Sequence, residues 1–387
     1  MRGRIIKRKG SNNYTIVLQL GLDPSTGKRK QQWITAGPSK REAEKQMAEL
    51  IHQMDTGVFV KPNKNAFSKY LEEWLKDYVW PNLSPRTAEG YESIVRCHLI
   101  PALGSIPLVQ LKPEHLQRYY SEKLATGRHD GKGGLSRTTI SHHHTCLHRA
   151  LKMALRWGRI SRNPADAVIP PRPQRSEMHT MTEDEINIFL EAAKKTPYYV
   201  LFYLALFTGM RRSELLALRW YDVDLLLCQA HITRSLHYLK TGEIVFRAPK
   251  TTRARRMVSL PPSSACLLQE HKDKREAQLG MTLKEDDLIF SDREGKPLLP
   301  DTISHAWAKL VKRAGLEHIR LHDARHTHAS LLLKQSVHPK IVQERLGHAT
   351  ISTTLDLYSH VSPGLQEAAA IGFDKHVNRR EKETIKK

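Results

Sequence analysis

The sequence predicts a mainly α chain with small β-sheets in three domains: an N-terminal three-stranded sheet plus helix, an all-helical domain, and an α+β domain. Three observations predict it. Short strand-like runs separated by turn residues fill the first 35 positions, helical periodicity without strand signals fills 66–157, and helices resume after a proline-rich break with three strand-like pieces among them. The boundaries drawn are 1–57, 65–160, a linker at 161–175, 176–375, and a charged tail at 376–387. A chain of 387 residues has room for them, since domains usually run roughly 100 to 200 residues.

In the first domain, residues 5–9, 14–20 and 30–35 read as strands, with turn signals at 10–13 and 23–27. Ser39 and Glu42 have capping-box spacing, and Ala43, Met47, Leu50, Ile51 and Met54 then recur at helical spacing up to Gly57. A helix packed on the sheet is expected. In the second domain, Ser84-Pro85, Lys112-Pro113 and Ser136 mark starts among four or five helices. On the last of these, Ile140, Leu147, Leu151, Ala154 and Leu155 form an apolar stripe, and His142, His143, Arg149, Lys152 and Arg156 make the polar remainder. That remainder is either a DNA-facing or a merely solvated surface. Residues 159–174, with Asn163-Pro164 and Pro170-Pro171, read as an extended linker.

In the third domain, Thr182 and Glu185 form another capping box ahead of Ile186, Phe189, Leu190 and Ala193. Strand-like pieces lie at 229–235, 244–248 and 256–260, and the last two suggest a hairpin tipped by residues 249–255. No internal repeat is visible.

Composition narrows the partners. There are 62 Lys and Arg against 40 Asp and Glu, a net charge of +22. Residues 1–56 carry 11 basic against 5 acidic groups and 57–175 carry 19 against 9, so the excess is densest outside the last domain. Folding gains nothing from that imbalance, and a polyanionic partner explains it. A hydrophobic content of 40% excludes a wholly disordered chain. The longest apolar run, 198–207, is far short of the ~18 residues of a membrane span. Cys97, Cys146, Cys228 and Cys266 stand apart, without the spacing of a disulfide scaffold or thiolate zinc site. The first residues do not read as a secretion signal, and a cytoplasmic protein is expected.

Four clusters in the last domain carry chemistry. Arg211 follows Gly209 at the start of a helix, where a guanidinium and a helix N-terminus both suit a phosphate; a surface arginine is the plainer alternative. Glu214, one turn on, suits orienting an arginine or capping. Lys250 lies in a basic tip, either solvated or reaching a backbone oxygen. His322 and Arg325 share a helical face beside His326 and His328, which lack HExxH spacing for zinc and suit a core or capping role. His348 follows Gly347, and Tyr358 comes ten residues later, where a lone tyrosine is ordinarily core.

Taken together, Arg211, Lys250, His322, Arg325, His348 and Tyr358 resemble, in order, the active-site set of the tyrosine recombinases, the phage or mobile-element integrases. TGMRRSEL, PKTTRARR, HDARHTHAS and LGHATISTTLDLYSH resemble the family's signature boxes, and the resemblance spans the chain. Ala254 stands where many members have Ser and Ala324 where Leu is commoner; neither change removes a catalytic group. The resemblance implies an α+β tyrosine-recombinase catalytic domain, a helical core-site-binding domain and an N-terminal arm-type DNA-binding domain. It further implies a homo-tetramer on double-stranded DNA core and arm sites that exchanges strands through a Holliday junction, helped by an excisionase and a DNA-bending protein. No membrane and no cofactor is expected.

The residue types suit that chemistry. A phenolate leaves more readily than an alkoxide, so a Tyr358 phosphodiester is reversible by an incoming hydroxyl. Arg211 and Arg325 can neutralise the phosphate through forked bonds, with His348 donating another. By resemblance, Lys250 protonates the departing 5′-oxygen and His322 gives acid–base assistance. Two alternatives share the sequence features: a type IB-like topoisomerase, against which the arm-type domain stands, and a catalytically inactive DNA-binding regulator, against which the intact set of six stands.

Overall fold

A computed structural model describes residues 3–7, 12–22, 27, 29–55, 66–128, 130–173, 179–249, 255–358, 370–371 and 373–374. Contacts divide the chain into two units, 1–175 and 176–387. In the first, strands Gly3–Lys7, Tyr14–Leu22 and Arg29–Thr35 form one antiparallel sheet in sequence order. Ile5 pairs with Ile16 and Ile16 with Ile34, which puts the three on one face. The helix Lys40–Asp55 covers that face. Its Ala43 is buried with Ile16 and Leu18, and Met47, Leu50, Ile51 and Met54 pack around them. The Ser39 hydroxyl accepts from the Glu42 N–H at 3.4 Å. Residues 8–11 and 23–26, which hold most of the expected turns, lie outside the described residues.

The helical part contains two rods with a local defect in common. Phe67–Trp74 continues through a π-helical turn, Leu75–Val79, into Trp80–Asn82. Likewise Pro85–Ile94 continues through Val95–Leu99 into Ile100–Leu103. In each, a proline stands two positions past the end of the π turn, Pro81 and Pro101. Proline has no N–H, and its ring collides with the carbonyl four residues back in an α-helix; the wider turn removes the collision. The Trp80 N–H donates to the Leu75 carbonyl and the Ile100 N–H to that of Val95, five residues back. Helices Pro113–Thr126 and Arg137–Arg156 complete the core around Phe67, Trp74, Tyr119 and Tyr120. The Ser136 hydroxyl caps the last of them, accepting from the Thr139 N–H, a contact worth about 1 kcal/mol.

Two expectations for this region need correction. His143 is not on the polar face: it is buried, its Nδ1 lies 2.8 Å from the Tyr119 hydroxyl, and burial pushes its pKa down to about 4. Leu155 is exposed instead, because the core-facing series runs His143, Leu147, Ala150 and Ala154. The linker does not begin at 159 as extended chain. Ile160, Ala165 and Val168 join the helical core, and Pro164–Ala167 forms a 3-10 turn capped by the Asn163 side chain. Short-range turn chemistry with small apolar residues outweighs the loss of periodicity.

In the second unit, the Thr182–Glu185 box is closed in both directions, at 2.7 and 3.2 Å, and opens the helix Glu183–Lys194. Its Phe189 packs with Phe202 of the helix Tyr199–Thr208 and Trp307 of the helix Pro300–Arg313. The expected hairpin between 244–248 and 256–260 is not formed. Ile244–Arg247 pairs with Ser235–Tyr238, and Arg256–Ser259 pairs with Gln229–Ile232, which also pairs with Val223–Asp224. The missed signal is the tight turn at Gly242, which has φ +84° and whose N–H donates to the Leu239 carbonyl. Helices Pro262–Leu279, Asp323–Lys334, Pro339–Leu346 and Ile351–Tyr358 complete a mainly helical unit with small antiparallel sheets. Among the described residues, no helix is long and apolar enough to cross a membrane.

Candidate active site

Three helices of the second unit end on left-handed glycines, and two of those turns bear on the site, that of Tyr199–Thr208 at Gly209 (φ +64°) and that of Pro339–Leu346 at Gly347 (φ +67°). Each glycine introduces a site residue, Arg211 and His348. After Gly209 the chain starts the short helix Arg212–Leu215, with Arg211 as its N-cap. Glu214 accepts from the Arg211 backbone N–H at 2.9 Å and from its Nη1 at 2.7 Å. The same arginine-to-acid spacing recurs at Arg219–Asp222 and Arg320–Asp323 with the same double grip. It fixes an arginine to the turn that bears it.

The two phosphate-type arginines are tied to the carbonyls of the two glycine turns. Arg325 Nη1 donates to the Gly209 carbonyl at 2.8 Å and its Nη2 to that of Leu346 at 2.6 Å, while Arg211 Nη2 donates to the Gly347 carbonyl at 3.1 Å. Arg325 is 3% exposed. Burial and then the Arg211 charge push its pKa down to about 9, which leaves it a cation at neutral pH.

Below them, Arg256 at the start of its strand forms a buried forked pair with Glu214, at 2.8 and 3.1 Å, and its Nε donates to the Arg345 carbonyl at 2.7 Å. Burial alone would raise the Glu214 pKa, but Arg256 and Arg211 outweigh it and hold the carboxyl below its ordinary range. Two guanidiniums, Arg211 and Arg256, thus share this one buried carboxylate, and Arg325, bonded to backbone carbonyls, feels it only through space. The surplus positive charge suits an anion.

His348 is buried, with its Nδ1 2.9 Å from the Thr354 hydroxyl. Burial, then Arg325 and Arg211, push its pKa down to about 3. His322 is the N-cap residue of the helix Asp323–Lys334, without a side-chain capping bond, partly exposed and 5.0 Å edge-on from the His326 ring. The protein packed around its ring, then His326 and Arg325, push its pKa down to about 4. His328 has the expected satisfied core role: its Nδ1–H donates to the Leu206 carbonyl and its Nε2 accepts from Arg345. Both partners demand a neutral ring. Among the described residues, no three His, Cys, Asp or Glu are grouped to hold a metal ion.

Of the six residues singled out in the sequence, Arg211, His322, Arg325 and His348 come together around the two glycines. Lys250 lies outside the described residues. Tyr358 ends the helix Ile351–Tyr358, one turn beyond Thr354, and its side chain lies outside them. Sequence reasoning missed Arg256, Arg345 and Thr354. Arg256 reads as one more charge of a basic tip, and Thr354 as one of several small polar residues on a short helix.

Residues 179–364 match the phage integrase family, and residues 66–124 match the N-terminal SAM-like domain of phage integrases. The chain is 27% identical over 377 residues to a tyrosine recombinase XerC-like protein of Caldanaerobacter subterraneus subsp. tengcongensis, covering 92% of this chain and 94% of that one. Its fold is similar to the Tn1549 transposon integrase in complex with a circular intermediate DNA, with a TM-score of 0.67 at 21% identity, over 80% of this chain and 99% of the other. It is also similar to a lambda integrase tetramer bound to a Holliday junction, with a TM-score of 0.54 at 20% identity, over 91% and 94%. With these matches over most of its length, this mainly helical chain with its cationic cluster on two glycine turns is a DNA strand-transferring enzyme. The chain belongs to the phage integrase family of tyrosine recombinases.

Proposed function

We propose that this protein is a site-specific DNA recombinase that integrates and excises a phage or mobile element. It cuts and rejoins DNA strands through a 3′-phosphotyrosyl intermediate and a Holliday junction. The observation that carries the reading is the surplus of guanidiniums over carboxylate at the site, where Arg325 is fixed by the Gly209 and Leu346 carbonyls and Arg211 by that of Gly347. A dianionic-like phosphorane transition state gains from such preset charges without reorganisation. In this reading Tyr358 is the nucleophile, and Arg211, Arg325 and His348 hold the scissile phosphate. Lys250 gives the 5′-oxygen its proton. His322, neutral at physiological pH, assists proton transfer near Tyr358.

The helical domain and the catalytic domain grip the core site, and residues 1–57 hold arm sites. The basic excess of the first two domains supports that division. The active assembly is a tetramer on DNA, with an excisionase and a DNA-bending protein as further partners. The test is a set of nicked suicide duplexes tiled across the DNA flanking the gene, incubated in EDTA with wild type and Tyr358→Phe. A denaturant-stable adduct with wild type alone, mapped to Tyr358, is expected. Specific binding without an adduct, or cleavage that requires added metal, would overturn the reading.

A further inference from the structure

We propose that Thr354 is a positioning residue for His348: from the helix that ends at Tyr358, its hydroxyl holds the imidazole in the tautomer that presents Nε2–H to the phosphate. The inference rests on His348 as a phosphate ligand. Thr354 has no accessible surface, His348 is 8% exposed, and Oγ1 lies 2.9 Å from Nδ1. Among the described residues this is the one hydrogen bond of the Thr354 side chain. A helical threonine usually donates backwards to a carbonyl of its own helix; here its proton goes to the ring. Nδ1 then accepts, and the ring's single N–H sits on Nε2. With the opposite polarity, a buried hydroxyl proton would have no acceptor and the Nε2 lone pair would face an anion, and both arrangements are costly.

The tautomer matters because protonation is not an easy substitute. Arg325 and His326 from the helix Asp323–Lys334, Arg211 ahead of the helix Arg212–Leu215, and Arg256 on its strand all oppose a further positive charge on His348. The donor to the phosphate must therefore come from the neutral ring. Thr354 also stands one helical turn before Tyr358. The contact that sets the tautomer consequently ties the nucleophile's helix to the turn at Gly347, so that loss of docking by that helix would also release the histidine.

The experiment compares full-length wild type, Thr354→Val and Thr354→Ser in single-turnover cleavage of a nicked suicide duplex. Alongside it, nitrogen-15 histidine NMR reads the His348 tautomer, with the His348 signal identified by its loss in His348→Gln. Valine keeps the shape and removes the proton, and is expected to slow adduct formation roughly 10- to 100-fold, the usual cost of losing such an orienting partner, with DNA affinity kept. Serine restores the rate, and wild-type His348 shows the Nε2–H pattern. Wild-type speed in Thr354→Val, or an Nδ1–H pattern in wild type, overturns the proposal. Should Thr354→Val not fold, the wild-type tautomer and the serine variant decide. If wild type binds DNA but forms no adduct at Tyr358, the recombinase reading fails, and the NMR pattern still decides the role of Thr354.

Discussion

Arg325 donates to the carbonyl oxygen of Gly209 at 2.8 Å, so an arginine on one helix is positioned by the left-handed turn that ends another. That turn has no room for a side chain. A Cβ on Gly209 would stand 2.6 Å from Leu346 Cδ2 and 2.8 Å from His328 Cδ2, in a conformation that already disfavours L-residues. Gly209→Ala is expected to lose about 2 kcal/mol or more of stability from conformation and crowding together. Urea unfolding monitored by tryptophan fluorescence reads the loss, and an unchanged midpoint would count against this account.

Arg325→Lys keeps the charge but cannot span the Gly209 and Leu346 carbonyls as a fork. Strand cleavage should fall by roughly 100-fold or more, the usual cost of removing one transition-state donor, with circular dichroism unchanged. Quench-flow on a suicide duplex measures it. Cleavage within threefold of wild type would remove Arg325 from the proposed role.

The pair of Arg256 and Glu214 is buried on both sides. Arg256→Met strands a carboxylate beside Arg211, and breaking such a pair costs about 3 to 5 kcal/mol. Adding Glu214→Gln to Arg256→Met should recover part of that stability while cleavage stays low, because Arg211 has lost its anchor. Denaturant melts of the single and double variants, set beside their cleavage rates, check both halves.

Acid should weaken the fold before the carboxylates titrate. His328 and His348 are pushed down to about 3 and His143 to about 4 from 6.5. Below pH 6.5 the unfolded chain binds protons that the folded chain refuses. Stability is therefore fully present above that pH and declines as pH falls toward 4, by up to about 1.4 kcal/mol per pH unit for each histidine. Urea midpoints at pH 7.5, 6 and 5 should fall in that order; a flat series would refute the assignment of neutral buried rings.

Binding to DNA should be steeply salt-dependent, with a shallower slope once residues 1–57 are deleted, since those residues bring 11 of the basic groups. Filter binding from 50 to 300 mM salt, roughly the range in which counterion release dominates, measures both slopes. Equal slopes would place the DNA contacts elsewhere.

Local signals were legible where one short contact decides the structure. The capping spacings at Ser39 and Thr182, the proline starts at Ser84 and Lys112, and the apolar faces of the helices Lys40–Asp55 and Glu183–Lys194 all read directly from spacing. Pairing across distance was not: Arg256–Ser259 chooses Gln229–Ile232 over its sequence neighbour because the turn at Gly242 has already consumed that neighbour. At the site, Arg211, His322, Arg325 and His348 were visible as residue types in ordered boxes. Their supports were not, since Arg256, Arg345 and Thr354 acquire meaning only from partners brought in by folding.

An extra residue in an α-helix turns everything beyond it by about 100°, because each residue takes up 1/3.6 of a turn. The π turns at Leu75–Val79 and Val95–Leu99 absorb such a surplus, so that Phe67 and Trp74 before one, and Leu103 after the other, still face a single core. They act as phase correctors. Single-residue gains and losses in this domain are accommodated most cheaply at these two places, where the spacing is already adjustable, and that is where homologous chains are expected to differ in length.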